Sequence, residues 1–177
     1  SSRGLGDVYK RQNIDSFILS KLIRSSWMFW KGRSGEPYWN MPYSFRGHIV
    51  VLVNENTYSD GEALAEGFKQ LGLGTTIGMR TWGGQIWLNS SNRQSDGGLA
   101  RAPMIGVYGN NGDWLIEGRG YEPDIVLDNL PHETYNGKDA QLEAAIDLLK
   151  KKILEDPRDV PKVPAYPDKS FKNNRKE

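Results

Sequence analysis

The 177-residue chain has no cysteine and only two histidines, His48 and His132. Without cysteine there are no disulfides, no thiolate zinc sites and no cysteine nucleophile, and two imidazoles cannot build a metal cluster without carboxylate help. A strong charge of either sign is also missing: 23 basic against 22 acidic residues leave a formal +1. That excludes the clustered basic face that duplex nucleic acid requires. Long hydrophobic runs are absent as well; Ile49 to Val53 and Trp27 to Trp30 are far too short for membrane insertion as a helix. What is there, 37% hydrophobic, 25% charged and 11% aromatic, is the composition of one globular domain. Any hydrolytic chemistry in it rests on an oxygen nucleophile.

The two ends differ from the middle. The string SRGLGDVYKRQ, Ser2 to Gln12, resembles the in-frame translation of a transposon-derived sequencing adapter, so residues 1–12 are set aside as non-native. The natural sequence is then expected to start near Asn13, as the carboxy-terminal piece of something longer. From Asp156 onward the chain has four prolines and no apolar periodicity, which reads as a flexible Pro/Lys-rich tail over residues 156–177. Arg3, Lys10 and Arg11 against Asp7 give the first segment +2, and six basic against four acidic residues give the tail +2. The core, residues 13–155, therefore carries −3.

Within the core the spacing predicts an α/β order with helices covering a sheet. Asp15 stands before Phe17, Ile18, Leu22 and Ile23, a helix over Ser16 to Met28. His48 to Val53 is a β-branched run expected as a strand covered on both faces, followed by a polar turn. Ala63, Leu64, Phe68 and Leu71 then recur at helical spacing until Gly72. Shorter strands are expected at Thr75–Gly78, Ile86–Asn89, Trp114–Ile116 and Ile125–Leu127. A last helix, capped by Asp139, places Leu142, Ala145, Ile146, Leu149 and Ile153 on one face. Gly72 and Gly74 before Thr75 and Thr76 follow a helix and lack a P-loop lysine, so no nucleotide site is expected.

The chemistry gathers at the corner between the buried strand and the next helix. Ser59 sits where free backbone N–H groups and the positive end of a helix dipole converge. A hydroxyl there can attack a carbonyl whose developing oxyanion those N–H groups receive. The same residues read equally as punctuation, because Ser59 and Glu62 form the S-x-x-E of a capping box. The G-x-S-x-G elbow of α/β-hydrolases is half met: Gly61 follows, but Thr57 replaces the leading glycine.

Three blocks carry a resemblance: NENTYSDGEALAEG (Asn54 to Gly67), LGLGTTIGMRTWGG (Leu71 to Gly84) and EGRGYEPDIVL (Glu117 to Leu127). With the closing QLEAAIDLL helix they resemble, in order, the catalytic core of the tricorn and tail-specific (C-terminal-processing) serine peptidases. The resemblance implies a crotonase/Clp-protease-like α/β core built from ββα units and truncated at its amino end. It implies that Ser59 is the nucleophile, that the Asp60 N–H supplies half of an oxyanion hole, and that the substrate is a peptide or protein. Glu117 matches the acid that helps to orient the catalytic histidine, although Gly118 follows it where the family more often has asparagine. An ordinary pair of Glu117 with Arg119 would give the same sequence. Trp82, Gly83 and Gly84 match the block that lines the peptide groove, the glycines letting a backbone approach closely. No cofactor or metal is implied, and homo-oligomers with further upstream domains are. The compartment stays open between the cytoplasm, by resemblance to tricorn, and the cell envelope.

In this family the general-base histidine and a second oxyanion donor lie upstream of the helix that starts near Asp15, and neither position is present. His48 opens a buried strand, where an imidazole packs or hydrogen-bonds at the edge. Without a base the serine hydroxyl stays protonated, so the chain alone is expected to be inactive. Two other readings stay open: an esterase whose triad is completed by His132, and a non-catalytic crotonase-type module whose Ser59 only caps a helix.

Overall fold

The computed structural model describes residues 14–88 and 92–168. The expected non-native residues 1–12 and Asn89, the end of an expected strand, lie outside these. In chain order the first half contains α1 (Asp15–Leu22), β1 (Phe29–Trp30), β2 (Tyr38–Trp39), β3 (Val50–Val53), α2 (Asp60–Gln70) and β4 (Thr75–Gly78). The second half contains β5 (Trp87–Leu88), β6 (Asn92–Arg93), β7 (Leu99–Ala100), β8 (Pro103–Ile105), β9 (Ile125–Val126), α3 (Pro131–Tyr135) and α4 (Ala140–Glu155).

The sheet that carries the fold is parallel, in the order β3–β4–β9. Val50 pairs with Thr75 through to Val53 with Gly78, and Ile77 pairs with Ile125 on the other side. Parallel neighbours need a crossover, and α2 provides it between β3 and β4. Its apolar face sends Ala65 and Phe68 fully inward, where Val53, Ile77, Tyr121 and Ala145 complete a small core. Gly72, at φ 63°, ends α2 with a two-bond stop in which Gly72 N–H reaches Lys69 O at 3.0 Å and Leu73 N–H reaches Phe68 O at 3.1 Å. The helix α4 packs on β3 and β4, and its cap is the expected one: Asp139 accepts the Leu142 N–H at 2.9 Å.

Three departures from the expected elements have physical causes. The first helix stops at Leu22 rather than Met28, because the Trp27 and Met28 N–H groups turn to the Asn40 side chain, at 3.2 and 3.0 Å, and Phe29–Trp30 pair with Tyr38–Trp39. The strand expected from His48 begins at Val50, with the His48 ring turned instead to the Asp156 carbonyl at 2.8 Å. Trp114–Ile116 is not a strand: Trp114 makes a single bridge to Tyr108, and Ile116 turns to φ 65°. After α4, residues 156–168 have no regular structure, yet 156–159 are tied down. Arg46 donates to Asp159 O at 2.6 Å and Arg158 to Gly47 O at 3.1 Å.

A polar knot, buried at Thr76 and Tyr121, fixes the approach to β9. Thr76 donates its N–H and its hydroxyl to the Asp124 carboxylate, both at 2.9 Å, and shares a 2.8 Å bond with the Tyr121 hydroxyl. Lys69 of α2 closes the knot on Asp124 at 3.0 Å. Burial pushes Asp124 upward, but the Thr76 N–H, the Lys69 ammonium and the Thr76 hydroxyl together hold it below the usual carboxylate range. The segment that leads from Glu117 to β9 is thereby anchored to both the central strand and α2.

Candidate active site

The polar stretch after β3 folds into a tight turn because Asn54 and Thr57 satisfy each other. Asn54 N–H donates to the Thr57 hydroxyl at 3.1 Å, and Thr57 N–H to Asn54 O at 2.9 Å. The turn delivers Ser59 to the start of α2 at φ 56°, ψ −123°, a conformation that L-residues rarely adopt and that costs on the order of 1–3 kcal/mol. Strain at this residue is what a serine held out of line on a strand-to-helix bend experiences. Ser59 and Glu62 occupy the two positions of the expected capping box. Both halves of the box are present: the Ser59 N–H donates to Glu62 at 3.0 Å, and the Glu62 N–H faces the Ser59 side chain without closing a full hydrogen bond; Ser59 itself is half-buried. No carbonyl among the described residues takes the Asp60 N–H.

Glu62 does far more than a capping box asks. It is fully buried, and its two oxygens also accept the Thr81 hydroxyl at 2.5 Å, Gly83 N–H at 2.7 Å and Gly84 N–H at 2.9 Å. One carboxylate thus ties the serine turn to the loop after β4. Trp82 adds a fourth tie, donating its backbone N–H to Thr57 O at 3.0 Å, and its ring stands edge-on to Tyr58 at 5.4 Å while staying 66% exposed.

The same loop reaches Glu117. Gln85 and Ile86 donate their N–H groups to one Glu117 oxygen at 2.6 and 2.8 Å, and Gly118 N–H donates to Gly83 O at 2.9 Å. Arg119 does not pair with Glu117; its guanidinium turns to the Trp114 carbonyl. Glu117 is presented by Ile116, a β-branched residue at positive φ that is 3% exposed. Residues 118–121 run close against 81–83. A Cβ on Gly83, at φ 94°, would stand 2.9 Å from the Gly120 nitrogen, so the close approach requires glycine here. Beside this junction the Gln85 side-chain oxygen is buried without a partner among the described residues.

The structure therefore joins Ser59, Asp60, Trp82, Gly83, Gly84 and Glu117 around one loop. It does not bring a histidine to them: His132 meets Asn136 of its own turn at 3.3 Å, and His48 is held by the chain after α4. Gly83 and Gly84 donate their N–H groups inward to Glu62, and a Cβ on Gly84 would stand 2.8 Å from the Trp82 ring. Sequence reasoning missed Glu62 as a hub, because the S-x-x-E spacing accounts for one of its bonds and the others come from about twenty residues downstream. It also missed the Asp60 carboxylate, which is 6% exposed and accepts the N–H groups of Ile14 and Asp15 at 2.8 and 3.1 Å. Burial, aided by the neighbouring Asp15 charge, raises Asp60 above the ordinary carboxylate value. Among the described residues, no grouping of three His, Asp or Glu side chains could hold a metal ion, and no helix is long and apolar enough to cross a membrane.

Comparison with known proteins places this geometry. The pattern of peptidase family S41 matches residues 9–127. The tricorn protease of Thermoplasma acidophilum is 32% identical over 154 residues, which are 86% of this chain and 14% of that protein. A tricorn protease homolog of Saccharolobus solfataricus is 33% identical over 141 residues, 79% of this chain and 13% of the relative. The crystal structure of the tricorn protease superposes with a TM-score of 0.75 at 32% identity, over 80% of this chain and 14% of that one. Mature CPAF shares the fold, with a TM-score of 0.55 at 22% identity over 64% of this chain and 22% of that one. The chain thus spans about a seventh of the length of the tricorn relatives it matches. With β3, the Ser59 turn, α2 and the Glu117 segment all inside the matched region, the chain belongs to peptidase family S41 and has a tricorn-like core.

Proposed function

We propose that the chain is the nucleophile-bearing part of a serine-type peptidase that cleaves peptide bonds through a Ser59 acyl-enzyme. The observation that carries this reading is the strained Ser59, at φ 56°, at the mouth of α2, with its N–H held by a buried carboxylate. Ser59 Oγ attacks the peptide carbonyl carbon and passes its proton to a histidine. The carbonyl oxygen becomes an oxyanion that the Asp60 N–H, at the positive end of α2, receives. Collapse breaks the C–N bond as the histidine returns the proton to the leaving amine, and water then hydrolyses the ester.

Glu117 is the acid that steadies that histidine in the accepting tautomer, and its fixed position at Gln85 and Ile86 supports the role. Trp82, exposed beside Tyr58, and the adjoining Gly83 and Gly84 are proposed to line the peptide groove. The histidine is proposed to lie outside these 177 residues, in the reading frame upstream of Asn13, so the chain alone is inactive. Residues 13–155 form the core, and a homo-oligomer acting on peptide or protein substrates belongs to the same proposal.

A fluorophosphonate probe tests it. With the upstream reading frame restored, the protein is expected to label at one site and to lose labelling in Ser59→Ala. The 177-residue chain is expected to show no Ser59-dependent peptide cleavage. Substantial turnover by the chain alone, abolished by His132→Ala, would favour the esterase-type triad instead.

A further inference from the structure

The Asp60 carboxylate performs a task that the Asp60 backbone does not need. Its Oδ2 accepts from Ile14 and Asp15, 46 and 45 positions earlier in the chain. Those are first-turn donors of α1, groups that a helix cannot satisfy from within. Ile14 at the cap position has no side-chain acceptor to offer. So α1 is capped from another helix. Farther along the same contact Leu19 lies against Gly67, where a Cβ would come within 2.5 Å of Leu19 Cδ1. The two helices are therefore fastened at two points, one by a carboxylate next to Ser59 and one by close steric approach.

We infer that the Asp60 carboxylate is a positioning residue for the Ser59 reaction, locking the start of α1 onto the nucleophile turn. This rests on the reading of Ser59 as nucleophile and goes beyond it. A strained conformation persists only where its surroundings over-determine it. Around Ser59 two carboxylates of one helical turn divide that work. Glu62 holds the turn to the loop at Thr81, Gly83 and Gly84, and Asp60 holds it to α1. The backbone of Asp60 offers its N–H to the oxyanion while the side chain, pulled back toward Ile14, fixes the direction in which that N–H points. Removing the carboxylate leaves the N–H in place but frees its orientation, so the loss falls on the chemical step rather than on substrate binding.

Two readouts test this. One is amide hydrogen exchange at Ile14 and Asp15, measured by NMR on the chain as it stands. The other is the rate of Ser59 labelling by a fluorophosphonate, with kcat and KM for a peptide, in the protein that carries its upstream reading frame. Asp60→Ala is expected to speed exchange at both amides about tenfold, the size of one lost cap. It is expected to slow labelling and kcat by a similar factor with KM little changed. Asp60→Asn, whose amide oxygen still accepts, is expected to keep both close to the parent. If Asp60→Ala does not fold, Asp60→Glu, which moves the carboxylate by one methylene, takes its place with the same expectation. Unchanged exchange at Ile14 and Asp15, or released exchange with labelling as fast as the parent's, overturns the inference. A parent protein whose Ser59 never labels, with exchange nonetheless released in Asp60→Ala, overturns the peptidase reading instead.

Discussion

The molecule holds two regions that are built on opposite rules. Around β3, α2, β4 and the segment before β9, polar groups are withdrawn from solvent as completely as the apolar core: Glu62 and Thr76 at 0% exposure and Thr81 at 1%, beside Ala65, Phe68 and Ile77 at 0%. In and around the pairs β1 with β2 and β5 with β8, large aromatics face outward: Trp30, Tyr38, Trp39 and Trp87 on the strands are about half exposed, and Trp27 and Tyr43 beside the first pair and Tyr108 and Trp114 after β8 are about 70% exposed. The strands there are only two or three residues long. The first region pairs its buried Glu62 and Thr76 with its own backbone and side chains. The second leaves apolar area unburied. The lesson is that in this chain buried carboxylates that accept backbone N–H groups join segments that the small apolar core does not reach.

The comparison can be broken. The largest effect is chemical: Ser59→Ala, in the protein with its upstream reading frame, is expected to cost on the order of a millionfold in turnover while leaving the melting temperature nearly unchanged. Next, Glu62→Ala leaves three backbone N–H groups and the Thr81 hydroxyl without their acceptor inside the protein, and should cost about 3–5 kcal/mol by urea unfolding. A loss under about 1 kcal/mol would show that the polar centre is not what holds the fold. Smallest, Trp30→Ala in the β1–β2 hairpin removes an edge-on pair with Tyr38, and is expected to change stability by no more than about 1 kcal/mol. Should it rival Glu62→Ala, the distinction between the two regions fails.

Between these lies a pair with opposite pH signs. Asp124 is held below its ordinary value in the folded chain, so the unfolded chain takes the proton first as pH falls. Its stabilisation is complete above the unfolded value, near pH 4, and is lost as pH drops through the lower folded one. Asp60 is raised, so ionising it in the folded chain costs free energy that is absent below the unfolded value. Its contribution weakens the fold as pH rises from about 4 through the raised value. Thermal melts across the acid range should therefore show Asp124→Asn flattening the acid-side loss. Asp60→Asn should remove a small opposing loss on the other side.

How much of this was legible in the sequence follows the range of each interaction. The Asp139 cap, the stop at Gly72 and the strand at Thr75–Gly78 are set by residues within a turn or by a β-branched run, and they stand where the spacing put them. The serine corner was legible for the same reason. The helix at Asp15 was read too long because what ends it, the Asn40 side chain, lies a hairpin away. Trp114–Ile116 carried strand-forming side chains, but its backbone is bent to deliver Glu117, a demand made by Gly83 and Gln85 from elsewhere in the chain. Glu62 was visible only as a local cap and the Asp60 carboxylate not at all, since their other acceptor bonds join segments that no short pattern connects.

The stretch from Met79 to Asp124 enters from β4 and returns to β9, and both ends are pinned, by the pairing of Ile77 with Ile125 and by Thr76 on Asp124. Between those pins, the turns at Gly97 and Gly112 have open space where a side chain would go. Lengthening a closed excursion is cheap, about 0.6 kcal/mol for each doubling, because its ends are already together. These two tips are accordingly where added sequence, a tag or a grafted recognition loop, could be carried without disturbing the serine that sits at the base.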